Sequence, residues 1–307
     1  MDRERLLIVG ASGFLGSNFA IGARRQYSVV AHSSRSKVRA VGMQTAVSDL
    51  TEAGSARRLI QETKPDLVIN CSALADPDLC ETYPDRAERL NAEVPEELAR
   101  QCSEIGADLI HISTDAVFGV GDGPFNTEDT PRPVNIYGAT KLEGEHRVRD
   151  ALPTALIVRT NIVGWSPTGQ RSLLEYFHSR LMQGQAAPGF VDASFRPVSA
   201  NQLWPLLMKL RSDRVDGIWH ATGSIYLSKF QFGRSIAEIF GLDPSLVLPS
   251  SIHSSTLSAT RPLALDVVPS SRSNGLSYDV LGIESGLLDL RVLMESGYRA
   301  ELESFVG

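Results

Sequence analysis

The run Leu6-Leu7-Ile8-Val9 passes straight into Gly10-Ala11-Ser12-Gly13-Phe14-Leu15-Gly16, and this junction restricts the fold more than any other stretch of the chain. A four-residue apolar run bounded by glycine reads as a strand buried on both faces. The glycines, at G-x-x-G-x-x-G spacing, turn it into a helical stretch reaching Arg25, and another apolar strand, Ser28-Val29-Val30-Ala31, follows. Such a turn aims backbone N–H groups and the positive end of a helix at one point, which suits a pyrophosphate. Gly10, Ser12, Gly13, Phe14, Leu15 and Gly16 are therefore the expected cradle of a dinucleotide. A glycine-rich turn by itself could merely reverse the chain; the strand before it and the helix after it select the nucleotide reading.

The same rhythm continues. Apolar runs near Leu6, Ser28, Gln44, Leu67, Leu109 and Ala155 alternate with helical stretches such as 55–63 and 85–105. Strands spaced by helices imply an α/β fold with a doubly wound parallel (Rossmann) sheet and a smaller, interleaved C-terminal portion. The expected division is a nucleotide-binding domain over 1–160, a segment near 198–222 that returns to it, and a substrate-binding portion from 161–197 and 223–307. Beyond residue 160, 217–220 reads as a strand rejoining the main sheet, and 201–210 and 228–240 read as helices. Helix 228–240 and the tail from Ser255 are expected to cap the substrate, with the Ser-rich stretch 249–258 as a lid.

Cofactor choice follows from an absence. A unit that binds NAD wants a carboxylate at the end of its second strand, yet no Asp or Glu occurs between Leu6 and Ser48. The strand instead enters His32-Ser33-Ser34-Arg35-Ser36-Lys37. Ser33, Ser34 and Arg35 suit the 2′-phosphate of NADPH, which a guanidinium holds through paired hydrogen bonds; as a solvated polar loop the same residues would leave NADH open. Asp49 and Leu50, after the third strand, are placed along the adenine.

Tyr137 and Lys141 lie in Tyr137-Gly138-Ala139-Thr140-Lys141-Leu142-Glu143-Gly144-Glu145. Residues four apart share a helical face, so the ammonium can sit by the phenol and lower its pKa from about 10 toward the range useful in proton transfer. A packed ring beside a solvated amine would show the same spacing. The strand Leu109-Ile110-His111-Ile112-Ser113-Thr114 ends in two hydroxyls, which at the carboxyl edge of a parallel sheet face the ligand crevice or else cap the next turn.

Together these segments resemble the extended short-chain dehydrogenase/reductases, and within them the dTDP-4-dehydrorhamnose reductase family of nucleotide-sugar 4-ketoreductases. Gly10 to Gly16, Ser113-Thr114-Asp115-Ala116-Val117-Phe118 and Tyr137 to Glu145 carry the likeness. Asn70-Cys71-Ser72-Ala73, Asn91-Ala92-Glu93, Arg159-Thr160-Asn161, Arg196-Pro197, His220-Ala221-Thr222-Gly223 and Ala259-Thr260-Arg261-Pro262 extend it. The resemblance implies NADPH-dependent reduction of a 4-keto-6-deoxy sugar. Tyr137 would donate the proton, Lys141 would tune it and hold the nicotinamide ribose, and Thr114 would orient the ketone. Cys71, Ser72, Ala73, Asn91 and Thr160 would line the cofactor, with Asn91 supporting the lysine. Ala75, Ala116, Val117 and Asn161 would line the sugar pocket. Arg196 and Arg261 are candidates for the substrate pyrophosphate and equally for surface or structural arginines.

The chain departs from that family at Ala116, where an aromatic residue is usual, at Asn161-Ile162, and over 267–275. Asp115-Ala116 carries only one acid of the pair found in sugar-nucleotide dehydratases. A relative of the same fold, the regulatory subunit of methionine adenosyltransferase, implies a second reading: an NADP-binding partner without turnover.

With 30 basic and 36 acidic residues among 307, the chain has no basic excess for nucleic acid or an anionic membrane. Met1 to Arg5 lead directly into the first strand and no apolar run reaches the ~18 residues of a membrane span, so a cytoplasmic protein is expected. Cys71, Cys80 and Cys102 do not pair evenly and form no metal pattern with the histidines; they read as buried thiols. His111 and His220 read as satisfied core residues. Extended members of the superfamily often dimerise through helices beside the active site, though no stripe here fixes a homodimer.

Overall fold

The computed structural model describes residues 3–35, 38–39, 41–121, 123–254 and 257–306. Ser36 and Lys37, from the expected 2′-phosphate loop, and Ser255 and Thr256, from the expected lid, lie outside the described residues. Seven parallel strands form the central sheet: β1 (Arg5–Val9), β2 (Ser28–Ser33), β3 (Gln44–Val47), β4 (Leu67–Asn70), β5 (Asp108–Thr114), β6 (Leu156–Thr160) and β7 (Gly217–Ala221). Their spatial order is β7-β6-β5-β4-β1-β2-β3. The order reverses between β1 and β4, which opens a crevice at the carboxyl ends of those strands.

Alternation along the strands divides the core into two layers. Leu6 and Ile8 of β1, Ile110 of β5 and Val158 of β6 pack with Phe19 of helix α1 (Phe14–Ala23). Leu7, Val9, Leu109 and Ile157 face the other way, against α2 (Ser55–Thr63) and α5 (Val94–Ile105), with the short helices α3 (Pro77–Thr82) and α4 (Pro84–Glu88) between those two in the chain. The two-faced burial explains why these strands read as unbroken apolar runs rather than as alternating ones. β7 pairs with β6 in register from Gly217 against Leu156 to Ala221 against Thr160.

The expected helix over 85–105 is built in three pieces: a short helix, Pro84–Glu88, a π turn, Arg89–Glu93, and α5. That turn pushes the carbonyl of Asn91 outward, where helix α6 (Ile136–Ala151) crosses it at Gly144. A Cβ on Gly144 would stand 2.1 Å from the Asn91 carbonyl oxygen. α6 starts at Asn135, whose side chain accepts from the Gly138 N–H at 2.8 Å. Its buried face is made of Gly138, Thr140, Lys141, Gly144, Glu145 and Val148, small and polar rather than apolar.

The remaining chain forms the second portion. Helix α7 (Leu173–Met182), with the parallel pair Ala187–Phe190 and Val247–Ser250, adjoins helix α9 (Lys229–Phe240), while helix α8 (Ala200–Ser212) covers the sheet beside α1. The tail divides, in a departure from the expected cap. Residues around Arg261 and Leu265 reach the crevice, whereas helices α10 (Ile283–Glu295) and α11 (Tyr298–Val306) turn away and pack on α8, α9 and α1. Tyr298 donates to Asn18 of α1 at 2.9 Å, and Glu301 pairs with Arg24. The described part of the Ser-rich stretch is anchored, not lid-like: Asp192 binds both the Ser251 hydroxyl and the Ile252 N–H.

Gly144→Ala forces the π turn and α6 apart in a packed region, so a loss of about 3 kcal/mol is expected in urea unfolding. A loss below about 0.5 kcal/mol would show that the two elements can separate freely.

Candidate active site

A cleft of about 430 Å³ opens at the carboxyl ends of β1, β4, β5 and β6. Gly13, Phe14 and Leu15 of the glycine turn form one wall; Cys71, Ala73 and Ala75 follow β4; Ile112, Ser113, Thr114, Asp115 and Ala116 follow β5. Tyr137 and Lys141 enter from α6, and Thr160, Asn161 and Ile162 from the end of β6. Phe195, Lys229, Arg261 and Leu265 complete the lining.

The glycine turn fits a dinucleotide by its own geometry. α1 begins at Gly13 with no side-chain cap and no acid in its first turn, so its leading N–H groups have no side-chain acceptor of their own. A Cβ on Gly16 would lie 2.3 Å from the Gly10 carbonyl oxygen, so the tight return of the helix onto the turn requires glycine there. Buried Ser33, the last residue of β2, is followed by exposed Ser34 and Arg35. Asp49 is held below the usual carboxylate range by hydrogen bonds from Thr51, with Arg35 and Arg86 adding to the effect. Leu50 is buried. Ser72 donates to Asn70 from both its N–H, at 3.0 Å, and its hydroxyl, at 2.6 Å.

Tyr137, Thr114 and Lys141 share the cleft, but the expected relation of lysine to phenol is not present. Burial pushes the Tyr137 phenol up to about 12, with Asp115 and Cys80 adding to the rise and a hydrogen bond with Thr114 opposing it. Lys141 has turned away. Its Nζ donates to the Ile112 carbonyl at 2.7 Å and stands 3.4 Å from His111 Nε2. Burial lowers the lysine to about 8, partly offset by Glu145 and Cys71. The phenol is thus a protonated acid at neutral pH. Thr114 accepts from the Ala116 N–H at 3.1 Å, which holds its hydroxyl at the end of the strand.

Two expectations about side chains, those for Arg196 and Val117, need correction. Arg196 is committed elsewhere, to Asp266 at 2.5 Å and the Ser224 carbonyl at 2.6 Å, and does not reach the cleft wall. Val117 is fully buried and belongs to the hydrophobic core, because the short turn after Thr114 points it inward. Asn91, expected to support the lysine through water or backbone contacts, has its amide on the Leu74 backbone, at 2.8 Å and 3.2 Å, and on the Thr140 hydroxyl at 3.0 Å. His111 is a buried, hydrogen-bonded core residue as expected, and its second ring nitrogen faces Lys141. His220 does remain structural, between the Val268 carbonyl at 3.2 Å and Arg159. Arg261 lines the cleft while paired with Asp78 at 3.0 Å. Cys80 and Cys102 are buried; Cys71 is half-buried on the cleft wall, and burial pushes its thiol up.

The sequence reading passed over Asp115 and Lys229. Asp115 is buried, accepts from Asn161 Nδ2 at 2.8 Å, and burial raises its carboxyl to about 7. Lys229 follows the N-cap of α9, where Ser228 and Gln231 form a reciprocal cap, and burial lowers its pKa. Only the position of Asp115 directly after Thr114 could have flagged the first; nothing local marks the second.

With this geometry in view, the sequence model of the RmlD substrate binding domain matches residues 4–268. The chain belongs to the RmlD substrate binding domain family. In that family setting, the dTDP-4-dehydrorhamnose reductase of Mycolicibacterium smegmatis is 35% identical over 275 residues, covering 88% of this chain and 79% of that protein. Methionine adenosyltransferase 2 subunit beta of Bos taurus is 29% identical over 280 residues, covering 85% and 79%. A crystal structure of dTDP-4-dehydrorhamnose reductase from Bacillus anthracis in complex with NADP superposes with a TM-score of 0.83 at 24% identity, covering 94% of this chain and 99% of that one, so the two share a fold. Among the described residues of this RmlD-type chain, no helix is long and apolar enough to cross a membrane, and no His, Cys, Asp or Glu group gathers to hold a metal.

Asp115 also gives a pH signature. Its folded pKa, about 7, exceeds the ordinary 3.8, so the folded state keeps a proton that the unfolded chain releases. The resulting stability is complete below about pH 4 and is lost as pH rises through about 7. Asp115→Asn, which keeps an acceptor for Asn161, should match wild type in thermal unfolding near pH 4. At pH 8 it should be more stable, by about 2–4 kcal/mol from ~1.4 kcal/mol per pKa unit. A less stable variant at pH 8 would contradict this.

Proposed function

We propose that this protein is an NADPH-dependent reductase of a nucleotide-linked 4-keto-6-deoxy sugar. The observation that carries the reading is that Thr114 and Tyr137 face the same cleft that the glycine turn enters through Gly13, Phe14 and Leu15. The uncapped N–H groups of α1 would hold the cofactor pyrophosphate, and Ser33, Ser34 and Arg35 its 2′-phosphate, with NADH a weaker donor. When bound, the reduced nicotinamide supplies a hydride to the substrate carbonyl carbon.

Everything else falls to the chain. A ketone oxygen inserted between Thr114 and Tyr137 accepts from both hydroxyls. As negative charge develops on that oxygen, the Tyr137 phenol, protonated at neutral pH, delivers its proton to it. Arg261 and Lys229, both lining the cleft, would meet the anionic diphosphate of the substrate. Ala116 and Asn161 border the sugar, and the small side chain of Ala116 leaves that part of the cleft open.

The test is NADPH oxidation by the purified protein against a panel of nucleotide-linked 4-keto-6-deoxy sugars. Tyr137→Phe should lower kcat about 10²–10⁴-fold, the usual span of a general acid, while NADPH binds as before. An equally active Tyr137→Phe would overturn the assignment. NADPH binding with no turnover on any sugar would favour the second reading, an NADP-binding partner like the methionine adenosyltransferase subunit.

A further inference from the structure

Behind the cleft, a chain of hydrogen bonds fixes the protonation of a buried histidine. The Ser72 backbone N–H can only donate, and it points at 3.0 Å to one atom of the Asn70 amide, which must therefore be the oxygen. The other atom of that amide is then the NH₂, and it can only donate to His111 Nδ1, 3.2 Å away. Nδ1 is an acceptor, so the neutral ring carries its proton on Nε2. Nε2 in turn faces Lys141 Nζ at 3.4 Å. An ammonium set against an N–H places donor against donor. A neutral amine offers a lone pair to that N–H and keeps two hydrogens, one of which serves the Ile112 carbonyl at 2.7 Å.

We propose that His111 is a positioning residue that weakens proton binding at Lys141, so that at mildly alkaline pH the free protein holds it as an uncharged amine and the lysine takes up one proton from solvent when a dinucleotide binds. The step is Lys–NH₂ + H⁺ → Lys–NH₃⁺, driven by the acceptors and negative charge that the nucleotide brings.

The other titratable groups near the lysine do not force a charge on it. Glu145 is already bound to Arg159, at 2.7 Å, and to the Ser113 hydroxyl. Burial keeps the Cys71 thiol protonated. The Tyr137 phenol is protonated as well, and burial holds the His111 ring far below its ordinary pKa, therefore neutral. The lowering of Lys141 to about 8 agrees with this arrangement. One consequence is that nucleotide affinity is highest below pH 8 and falls, by up to tenfold per pH unit, once the free lysine has lost its proton.

The free protein can be read without nucleotide. With five lysines in the chain, ε-¹⁵N-lysine NMR identifies Lys141 by its loss in Lys141→Met. Its signal should titrate near pH 8. In Asn70→Asp a carboxylate still accepts from Ser72 but can no longer donate to His111, so the ring should switch to its Nδ1–H form and the lysine should titrate at least a hundredfold lower in proton concentration, above pH 10. The ring ¹⁵N shifts of His111 in the unaltered protein give the tautomer without any variant. An Nδ1–H ring, a Lys141 still charged at pH 9.5, or an unmoved titration in Asn70→Asp would each overturn the proposal.

The coupling to nucleotide rests on the function proposed above and is measured separately. Calorimetry of NADP⁺ binding at about pH 9 in buffers of different ionisation enthalpy should show uptake close to one proton, absent in Lys141→Met. Binding without uptake would overturn the coupling. Failure of NADP⁺ to bind would instead remove the cofactor reading, leaving the NMR result to decide the state of the lysine.

Discussion

The buried carboxylate of Glu145 holds the working part of this molecule together. From α6 it accepts the guanidinium of Arg159 on β6, at 2.7–3.1 Å, and the hydroxyl of Ser113 on β5, at 2.5 Å. Both charges are almost completely buried, with side chains 2% and 1% exposed. Removing either would strand the other in a low-dielectric interior. Arg159 is further packed over the ring of Phe118, 5.1 Å from its centre. Such a network directs α6 in one orientation across the ends of two strands, and the same helix carries Lys141 and Tyr137 one and two turns earlier. A sheet that only needed to be covered would take an apolar helix; this one takes a helix whose inner face is small and polar, because the face has to approach the backbone closely and point functional groups at the crevice.

Burial then sets the electrostatics. It raises Asp115 and Tyr137, lowers Lys141 and keeps His111 neutral, so each of these groups is displaced toward its uncharged form. The phenol is thereby kept protonated at neutral pH, the state that a proton donor needs. The lysine is turned to the Ile112 carbonyl, at 2.7 Å.

The parallel sheet, the glycine turn, and the convergence of Thr114, Tyr137 and Lys141 were legible in the sequence because each rests on local pattern. A strand buried on both faces shows as an apolar run, a tight turn shows as spaced glycines, and i,i+4 spacing shows a shared helical face. What was hidden depends on long-range partners. Nothing near Arg196 announces Asp266, seventy residues away, and nothing near Val117 tells that the turn after Thr114 rotates it into the core. Lys141 meets the Ile112 carbonyl and His111 on β5, and His111 is held in turn by Asn70 of β4, partners that no local pattern announces. Lys229 enters the cleft only because α9 packs where it does.

The central claim is that this crevice delivers a hydride to one sugar carbon while Tyr137 protonates the adjoining oxygen. It is tested most directly by turnover with NADPH deuterated at nicotinamide C4, one face at a time, followed by NMR of the sugar product. The account predicts deuterium at sugar C4 from one labelled face only. Product without deuterium at C4, or label carried equally from both faces, would contradict it.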